Sequence, residues 1–308
     1  MIEQLKQEAL RRGDRLQVVS IGRLSALKHE IDFFINTADL NSFQKWIVGN
    51  LYKFELPSVD FSIQSIIMVA IPHPAYAKVG FIRNGKAYNL MSNIMSDFER
   101  SENYLLDFLT PMNHHIVAAP NLPLKRLAVH SGLAAYGRNN ITYVDGLGSF
   151  LSYAAYFSDV PCNDSEWTEV RLSERCTHCD ICLNKCPTNA IRKDTFLIDN
   201  ERCLSYLNEN PGEWPEWLPL SAHHCVYDCL KCQIVCPMNR GFASNIVESI
   251  KFSEEETDIL LSGRGFDTYS DVLKHKTSVL GINNWLAAIP RNLSILFELI
   301  DDHKEIHL

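Results

Sequence analysis

Cysteine is absent from the first 161 residues of this 308-residue chain, and all ten cysteines fall between Cys162 and Cys236. One segment therefore carries the thiol chemistry, and the rest of the chain supplies its setting. The apolar content of 46% is enough for a full hydrophobic core without disulfide staples.

Long apolar runs are absent as well. The longest, SIIMVAIP at 65–72, is far shorter than the roughly 20 residues of a membrane-spanning helix. The N-terminal stretch MIEQLKQEALRRGDRL mixes charged and apolar residues at helical spacing, and no apolar segment follows Arg11 and Arg12 as a secretory or twin-arginine signal requires. These features predict a soluble cytoplasmic protein, whose cysteines are not paired as disulfides.

A basic excess is also missing. The chain has 29 Lys and Arg against 37 Asp and Glu, so its formal net charge is −8. Proteins that bind nucleic acids neutralise phosphates with clustered Lys and Arg. The charge balance therefore favours a small-molecule substrate or a protein partner over a nucleic acid.

The cysteines that are present form two runs. The first, CTHCDICLNKCPTNAI, has the pattern C-x2-C-x2-C-x3-C-P and supplies Cys176, Cys179, Cys182 and Cys186. In bacterial ferredoxins, three closely spaced thiolates of this run bind one 4Fe-4S cluster and the fourth binds the other. Zinc is the alternative metal, but zinc sites normally use two CxxC pairs separated by a longer loop.

The second run, CVYDCLKCQIVCPMNR at 225–240, is one cysteine short of the full pattern, and a single cysteine lies between the two runs. Exchanging the fourth ligands, as two-cluster ferredoxins do, predicts two complete 4Fe-4S sites. The first cluster is assigned Cys176, Cys179, Cys182 and Cys236, and the second is assigned Cys186, Cys203, Cys229 and Cys232. Cys162 and Cys225 are left over and are predicted to be buried, inert thiols.

Helical and strand patterns alternate ahead of the cysteine-rich segment. Helices are predicted over 1–13, over most of 25–54, over 97–112 and from 123 to Gly132 or Gly137, and strands over 16–22, 62–74 and in two runs within 141–159. The expected fold is an α/β sandwich, a sheet covered by helices, at residues 1–165, followed by a cluster domain at 166–245 and a helical C-terminal tail at 246–308.

The stretch LAVHSGLAAYGRNNITYVDGLGSFLSYAAYFSDVP at 127–161 resembles a segment of epoxyqueuosine reductases, and more distantly of reductive dehalogenases. That segment runs from a helix through a glycine-rich turn ending in G-K-N and on to G-S. The cysteine layout of the family follows, including the single middle cysteine in DNERCLSYL. The resemblance extends from about residue 117 to the end and is clear through 240.

This resemblance implies a nitroreductase-like α/β domain that binds cobalamin, joined to a ferredoxin-like domain whose two 4Fe-4S clusters deliver electrons to it. At the turn where the family's chain passes close to the corrin, this sequence has Gly132, Gly137, Arg138 and Asn139. Glycines allow close approach of the backbone, and Arg and Asn can donate hydrogen bonds to corrin amides. A plain helix end followed by a turn is the alternative interpretation.

Two carboxylates of the family are missing here. Its aspartate in V-D-x-x-P, which serves as the acid near the cobalt, corresponds to Ala118, and its L-G-E corresponds to Tyr153-Ala154-Ala155. Loss of a general acid typically costs about 10² to 10⁴ in rate. The departures therefore argue against a true epoxyqueuosine reductase, whose substrate lies within a tRNA.

Other side chains are candidate proton donors or metal ligands. Reductive dehalogenases use a tyrosine, and Tyr136 and Tyr143 flank the turn, with His130 as a third candidate donor. A packed tyrosine or a structural histidine is the plainer interpretation of each. The pairs His114-His115 and His223-His224 are candidate ligands of cobalt or another metal, although their polar loops favour solvated surface positions.

Three classes of function follow. The principal prediction is a cobalamin-dependent iron–sulfur oxidoreductase that reduces a small organic substrate and receives electrons from an external donor such as ferredoxin or flavodoxin. The second is a corrinoid-handling protein that reduces or transfers cobalamin for a partner corrinoid protein and needs no catalytic acid. The third is a ferredoxin-like electron carrier whose N-terminal domain is a docking module or binds a flavin.

Overall fold

The computed structural model describes residues 1–163 and 166–302. The chain forms two compact units. Unit 1 comprises Met1–His73 and Ser96–Cys179, and unit 2 comprises Pro74–Met95 and Asp180–Leu308. These units do not coincide with the segments 1–165, 166–245 and 246–308, which remain a proposal for the functional division of the chain.

The described residues contain the following strands and helices. The strands are β1 (Arg15–Ser20), β2 (Ser65–Pro72), β3 (Tyr76–Arg83), β4 (Lys86–Ser92), β5 (Ile116–Ala118), β6 (Ala135–Tyr136), β7 (Thr142–Tyr143), β8 (Leu151–Ser158) and β9 (Ile246–Phe252). The α-helices are α1 (Ile2–Arg11), α2 (Arg23–Thr37), α3 (Ser42–Trp46), α4 (Phe98–Leu109), α5 (Leu124–His130), α6 (Ile181–Lys185), α7 (Leu204–Glu209), α8 (Lys231–Ile234), α9 (Glu254–Leu261), α10 (Asp271–Leu280) and α11 (Ile289–Asp301).

Unit 1 is an antiparallel sheet with helices on both faces. The strand order is β1-β2-β8-β5, so the apolar run SIIMVAIP forms a central strand that is buried on both sides. Ile66 and Met68 pack with α2 and α5 on one face, and Ile67 and Val69 pack with α1 and α4 on the other. The predicted α/β sandwich is confirmed at this level, because a strand with two covered faces needs a continuous apolar sequence.

Two predicted helices of unit 1 end earlier than their patterns suggest. The helical stretch at 25–54 breaks before Asn41, whose side chain accepts a hydrogen bond from the Gln44 amide and begins α3. The helix predicted from 123 ends at His130, because Gly132 turns the chain with a φ of +74°. Its N–H donates to the carbonyl of Val129 at 3.0 Å.

Unit 2 contains a three-stranded sheet in the order β4-β3-β9. β3 and β4 form a hairpin closed by Asn84 and Gly85, whose φ values of +49° and +70° are those of a type I′ turn. β9 pairs parallel to β3, so the segment expected to be a helical tail begins with a strand and becomes helical only at α9. Phe252 of β9 stacks on Phe81 at 4.9 Å between ring centroids.

No helix within the described residues is long and apolar enough to span a membrane.

Candidate cluster and cofactor site

The first two cysteines of the first run are held by Arg138. Its Nε donates to the carbonyl of Cys179 at 3.2 Å, and its Nη2 donates to the carbonyl of Cys176 at 2.7 Å. The same loop is fixed next to β6, because the amide of Ser173 donates to the carbonyl of Tyr136 at 2.7 Å. Within unit 1, these hydrogen bonds therefore connect the turn that is assigned to the corrin with the backbone of two expected cluster ligands.

The turn itself is tightly packed. A Cβ on Gly137 would lie 2.6 Å from a ring carbon of Tyr143 and 2.7 Å from the Oδ1 of Asn139, so this position requires glycine. The side chain of Asn139 is almost fully buried and donates to the Tyr143 hydroxyl at 2.9 Å. The sequence assigns Asn139 to corrin binding and Tyr143 to proton donation. In the structure, these two side chains bind each other.

Gly132 lies apart from this packing and lines an open cleft of about 380 Å³. The cleft has Val129 and Ala135 on one side and residues 168–175 on the other. Its volume is at the lower end of the range for small-molecule sites. The four residues that the resemblance assigns to one cofactor therefore have different surroundings.

His130 is fully engaged in hydrogen bonds. Its Nδ1 lies 2.6 Å from the carbonyl of Thr168, and its Nε2 pairs with the carboxylate of Glu30, which also pairs with Arg126. Trp167 stacks on the imidazole with 4.2 Å between centroids. Burial raises the pKa of Glu30, but the hydrogen bond from His130 and the charge of Arg126 outweigh it and lower the pKa overall.

Glu30 is a carboxylate that sequence reasoning missed. Arg126 and His130 lie four residues apart on α5, but their common partner is on α2, about a hundred positions earlier. Burial raises the pKa of Tyr136, and Glu30 adds to the rise while Arg126 opposes it. Tyr136 therefore stays protonated but is a weaker acid than a free tyrosine.

The positions of the two missing carboxylates are ordinary strand positions. Ala118 is exposed on the short strand β5, opposite Tyr156 of β8. Ala155 is buried on β8, and its carbonyl accepts a hydrogen bond from the amide of Ala119 at 2.8 Å. The two alanines supply no proton donor.

In unit 2, the two Cys-Pro steps follow short helices. Cys186 follows α6, Cys236 follows α8, and the two helices contact each other. Cys203 directly precedes α7, and Cys229 lies two residues before α8. The repeated arrangement of short helix, cysteine and proline is that expected for a two-cluster ferredoxin.

The thiols around Cys229 suit binding to iron. Burial raises the pKa of Cys229 well above its usual value, and charge on Cys225, Cys232 and Cys203 would raise it further. Of these three thiols, Cys232 and Cys203 are assigned to the same cluster as Cys229, whereas Cys225 is not. Iron bound there would favour the thiolate forms, because coordinated thiols are deprotonated outright.

Asp228 occupies the turn directly before Cys229, with a left-handed φ of +66°. Its Oδ1 accepts hydrogen bonds from the Ser205 hydroxyl at 2.7 Å and from the Cys229 amide at 2.6 Å. Its Oδ2 accepts from the Asn93 amide at 3.0 Å. The carboxylate of Asp228 thus accepts three hydrogen bonds.

The two cysteines left over from the predicted clusters are buried, as expected. Cys225 is fully buried and donates to the carbonyl of Asp228 at 3.0 Å. Cys162 donates to the carbonyl of Val18 at 3.7 Å. Their inertness stays a prediction.

The histidine pairs differ from each other. The expectation of a solvated surface is wrong for His223 and His224, which are 0% and 2% exposed because they pack inside unit 2 beside Trp214 and Tyr76. His114 and His115 are partly exposed, and their Nδ1 atoms lie 3.1 Å and 2.7 Å from the carboxylate of Asp159. Across residues 1–163 and 166–302, no three His, Cys, Asp or Glu side chains are arranged to hold a single metal ion.

Comparison with known proteins identifies the cysteine-rich segment. Residues 175–239 match the model of a family described as a 4Fe-4S double cluster binding domain. The predicted pair of 4Fe-4S clusters is thereby confirmed, while the assignment of individual ligands to each cluster stays a prediction.

Curated relatives extend the match beyond that segment. The chain is 34% identical to the epoxyqueuosine reductase of Aliivibrio fischeri over 115 residues, which is 37% of this chain and 30% of the relative. It is 26% identical to that of Bacillus subtilis over 268 residues, which is 78% of this chain and 65% of the relative. The chain is thus similar in sequence to the epoxyqueuosine reductases. Its matches span 30% and 65% of the length of these two proteins.

Solved structures agree on the fold. The epoxyqueuosine reductase structure from Bacillus subtilis aligns with 98% of this chain, at a TM-score of 0.60 and 18% identity, and the alignment covers 83% of that structure. A crystal structure of an epoxyqueuosine reductase with an epoxyqueuosine-modified tRNA-Tyr stem loop aligns with 96% of the chain and 81% of its own length, at a TM-score of 0.61 and 20% identity. The mixed α/β fold of these relatives is thus shared by this chain.

Proposed function

We propose that this protein is an iron–sulfur reductase that transfers electrons from two 4Fe-4S clusters to a cobalamin held by its N-terminal α/β domain. The observation that carries the proposal is the pair of hydrogen bonds from Arg138 to the carbonyls of Cys176 and Cys179. They connect the turn that the resemblance assigns to the corrin with the loop of the first cluster. The match to the double-cluster family and the named relatives support the same reaction class.

The clusters would be held by the eight cysteines assigned from the sequence and would supply single electrons, which the cobalamin would use to reduce the substrate. Arg138 fixes the backbone of Cys176 and Cys179 from one side. Asn139 and Tyr143 are bound to each other and fill the space beside Gly137, so the turn would meet a corrin through its main chain rather than through these side chains.

We propose a small organic substrate. The relative in the tRNA stem loop structure binds a nucleic acid, but this chain has a net charge of −8 and alanine in place of both family carboxylates, at positions 118 and 155. The negative net charge provides no overall attraction for the phosphates of a nucleic acid. The two alanines cannot supply the acid that the family's reaction uses.

The substrate proposal is tested by expression in a bacterial strain that lacks epoxyqueuosine reduction, with queuosine in tRNA as the readout. We expect no queuosine with this chain and normal levels with the Bacillus subtilis relative as the control. Normal queuosine levels from this chain would show that the two alanines are compatible with the family reaction and would refute the small-substrate proposal.

A corrinoid-handling role is the second candidate, and the two alanines favour it because electron transfer to another protein needs no acid. The two functions are separated by turnover assays with the reduced protein. A reductase converts candidate substrates by itself, whereas a corrinoid-handling protein is oxidised only when a partner corrinoid protein is added.

A further inference from the structure

Asp228 connects two segments that supply expected ligands of the second cluster. Its Oδ1 accepts hydrogen bonds from the amide of Cys229 at 2.6 Å and from the hydroxyl of Ser205 at 2.7 Å. Cys229 is itself assigned to that cluster, and Ser205 lies two residues after the assigned ligand Cys203. We propose that Asp228 is a positioning residue, which holds the turn of Cys229 against the segment of Cys203 so that both thiols meet one 4Fe-4S cluster.

The physical reason is the separation of these segments along the chain. Ser205 and Asp228 are 23 positions apart, and closing a loop of this length costs conformational entropy. A carboxylate oxygen that accepts from both segments supplies part of that free energy before any metal binds. Partners of this kind, which orient metal ligands without touching the metal, typically account for about 10- to 100-fold in metal affinity.

The main chain of Asp228 makes a second link to the same segment. Its left-handed φ of +66° suits glycine, whereas a residue with a Cβ needs support from its surroundings. Here the carbonyl of Asp228 accepts from the Asn208 side chain at 2.6 Å and from the Cys225 thiol at 3.0 Å. Asn208 is fully buried on α7, the helix that begins directly after Cys203. Both the side chain and the main chain of Asp228 therefore bind the segment of Cys203.

The turn around Asp228 is also tied to the sheet of unit 2. Its Oδ2 accepts from the side-chain amide of Asn93, directly after β4, at 3.0 Å. Two residues further on, the amide of Leu230 donates to the hydroxyl of Tyr76, at the start of β3, at 3.2 Å. The sheet thus supplies a fixed base for the turn, and Asp228 links that base to α7.

The inference rests on the assignment of Cys203 and Cys229 to one cluster and not on cobalamin. The first measurement therefore counts iron in protein purified anaerobically without cobalamin or substrate. Two 4Fe-4S clusters contain eight irons, and we expect Cys229→Ser to keep about four of them. Cys225→Ser, which changes the neighbouring thiol that is not assigned to a cluster, is the matched control and should keep them all.

A full iron content in Cys229→Ser would show that Cys229 is not a ligand and would overturn the proposal. This failure is distinct from a failure of the reductase proposal, in which the iron is complete but no corrin binds.

The second measurement is the rate at which a chelator removes iron, together with the electron paramagnetic resonance spectrum of the reduced protein. Asp228→Gly keeps the left-handed backbone and removes the carboxylate, and we expect about four irons to leave about 10 to 100 times faster than in the wild type. The resonance signal that Cys229→Ser alters should change in Asp228→Gly as well. Asn84→Gly, at another left-handed position of unit 2, is the control that leaves both readouts unchanged.

Exchanging two side chains separates positioning from a general loss of stability. Asp228→Asn replaces one acceptor oxygen by a donor nitrogen, which then faces either Asn93 or the amide of Cys229, and iron release should again be faster. Adding Asn93→Asp restores an acceptor opposite the new donor, so the double variant should release iron about as slowly as the wild type. Ser205→Ala breaks the bond on the side of Cys203 and should also accelerate release.

Wild-type release rates in Asp228→Gly and Asp228→Asn would refute the role of Asp228. A double variant that releases iron as fast as Asp228→Asn, or a wild-type rate in Ser205→Ala, would refute it as well, because the link between the two segments would then be irrelevant to the cluster. If circular dichroism shows that Asp228→Gly does not fold, the exchanged pair decides the outcome, because it keeps the shape of both side chains.

Discussion

At the scale of single residues, His223 and His224 of unit 2 are unusual because both imidazoles are almost fully buried. Burial, together with the nearby His224 and Arg291, lowers the pKa of His223 to about 3, and burial lowers the pKa of His224 to about 4. Both rings are therefore neutral in the folded protein at neutral pH. The unfolded chain, with pKa values near 6.5, binds protons that the folded protein does not.

This difference makes stability depend on pH. The contribution of His223 is complete above about pH 6.5 and is lost as the pH falls toward its folded pKa. We expect Phe in its place, which keeps a ring against Trp214, to remove about 2 kcal/mol of the stability lost between pH 7 and pH 4.5. Urea unfolding of both proteins at several pH values measures this, with the exposed His275→Gln as the control. Parallel curves for wild type and His223→Phe would contradict the burial of a neutral imidazole.

The Glu30 network of unit 1 is the second prediction at this scale. Glu30→Gln leaves Arg126 and His130 without their common carboxylate, and we expect a loss of about 1–3 kcal/mol in the free energy of unfolding. Asp32→Asn, on the same helix, removes an exposed ion pair with Lys28 and should cost less than about 0.5 kcal/mol. If denaturant unfolding shows equal effects for the two changes, the Glu30 network contributes no more to stability than an exposed ion pair.

At the scale of elements, the end of α10 depends on one glycine. Gly281 has a φ of +73°, and a Cβ there would lie 2.6 Å from the Tyr227 hydroxyl and 2.7 Å from the sulfur of Met95. Gly263 has a similar φ of +67°, but its nearest atom, on Pro290, would be 3.6 Å away. Both glycines therefore have a left-handed backbone that would strain an alanine, but only the position of Gly281 is also crowded by neighbouring atoms.

We expect Gly281→Ala to lower the melting temperature clearly more than Gly263→Ala. Strain at a positive φ and overpacking each cost about 1–3 kcal/mol, and only the first variant has both. Thermal unfolding by circular dichroism measures the two variants side by side. A drop for Gly263→Ala as large as for Gly281→Ala would mean that the contacts of Tyr227 and Met95 impose no limit.

The elements also show which sequence signals suffice. The run SIIMVAIP predicts a buried strand because a central strand needs apolar residues on both faces, and β2 is that strand. The Asn84-Gly85 pair between alternating apolar residues is a hairpin signal that the sequence interpretation above does not use. The parallel pairing of β3 with β9 joins segments about 170 residues apart, and no local pattern contains that information.

At the scale of the whole molecule, cysteine spacing predicts the two clusters because each motif is local and its chemistry follows from a few loop lengths. The side chains that hold those motifs are not predictable in this way. Asn93 and Asp228 are 135 positions apart, and Arg138 binds carbonyls about 40 positions later. Such partners meet only through the fold, so the hydrogen bonds around the expected cluster ligands had to be read from the structure.

The central claim is that electrons from two 4Fe-4S clusters reduce a cobalamin bound by the same chain. The most direct measurement is an anaerobic preparation supplied with cobalamin, in which iron is counted and the corrin absorption is followed after reduction with a ferredoxin or flavodoxin. We expect eight irons, one tightly bound corrin per chain and a corrin spectrum that changes on reduction, with Cys229→Ser slowing that change. Eight irons without a bound corrin, or with a flavin in its place, would contradict the claim and favour an electron carrier.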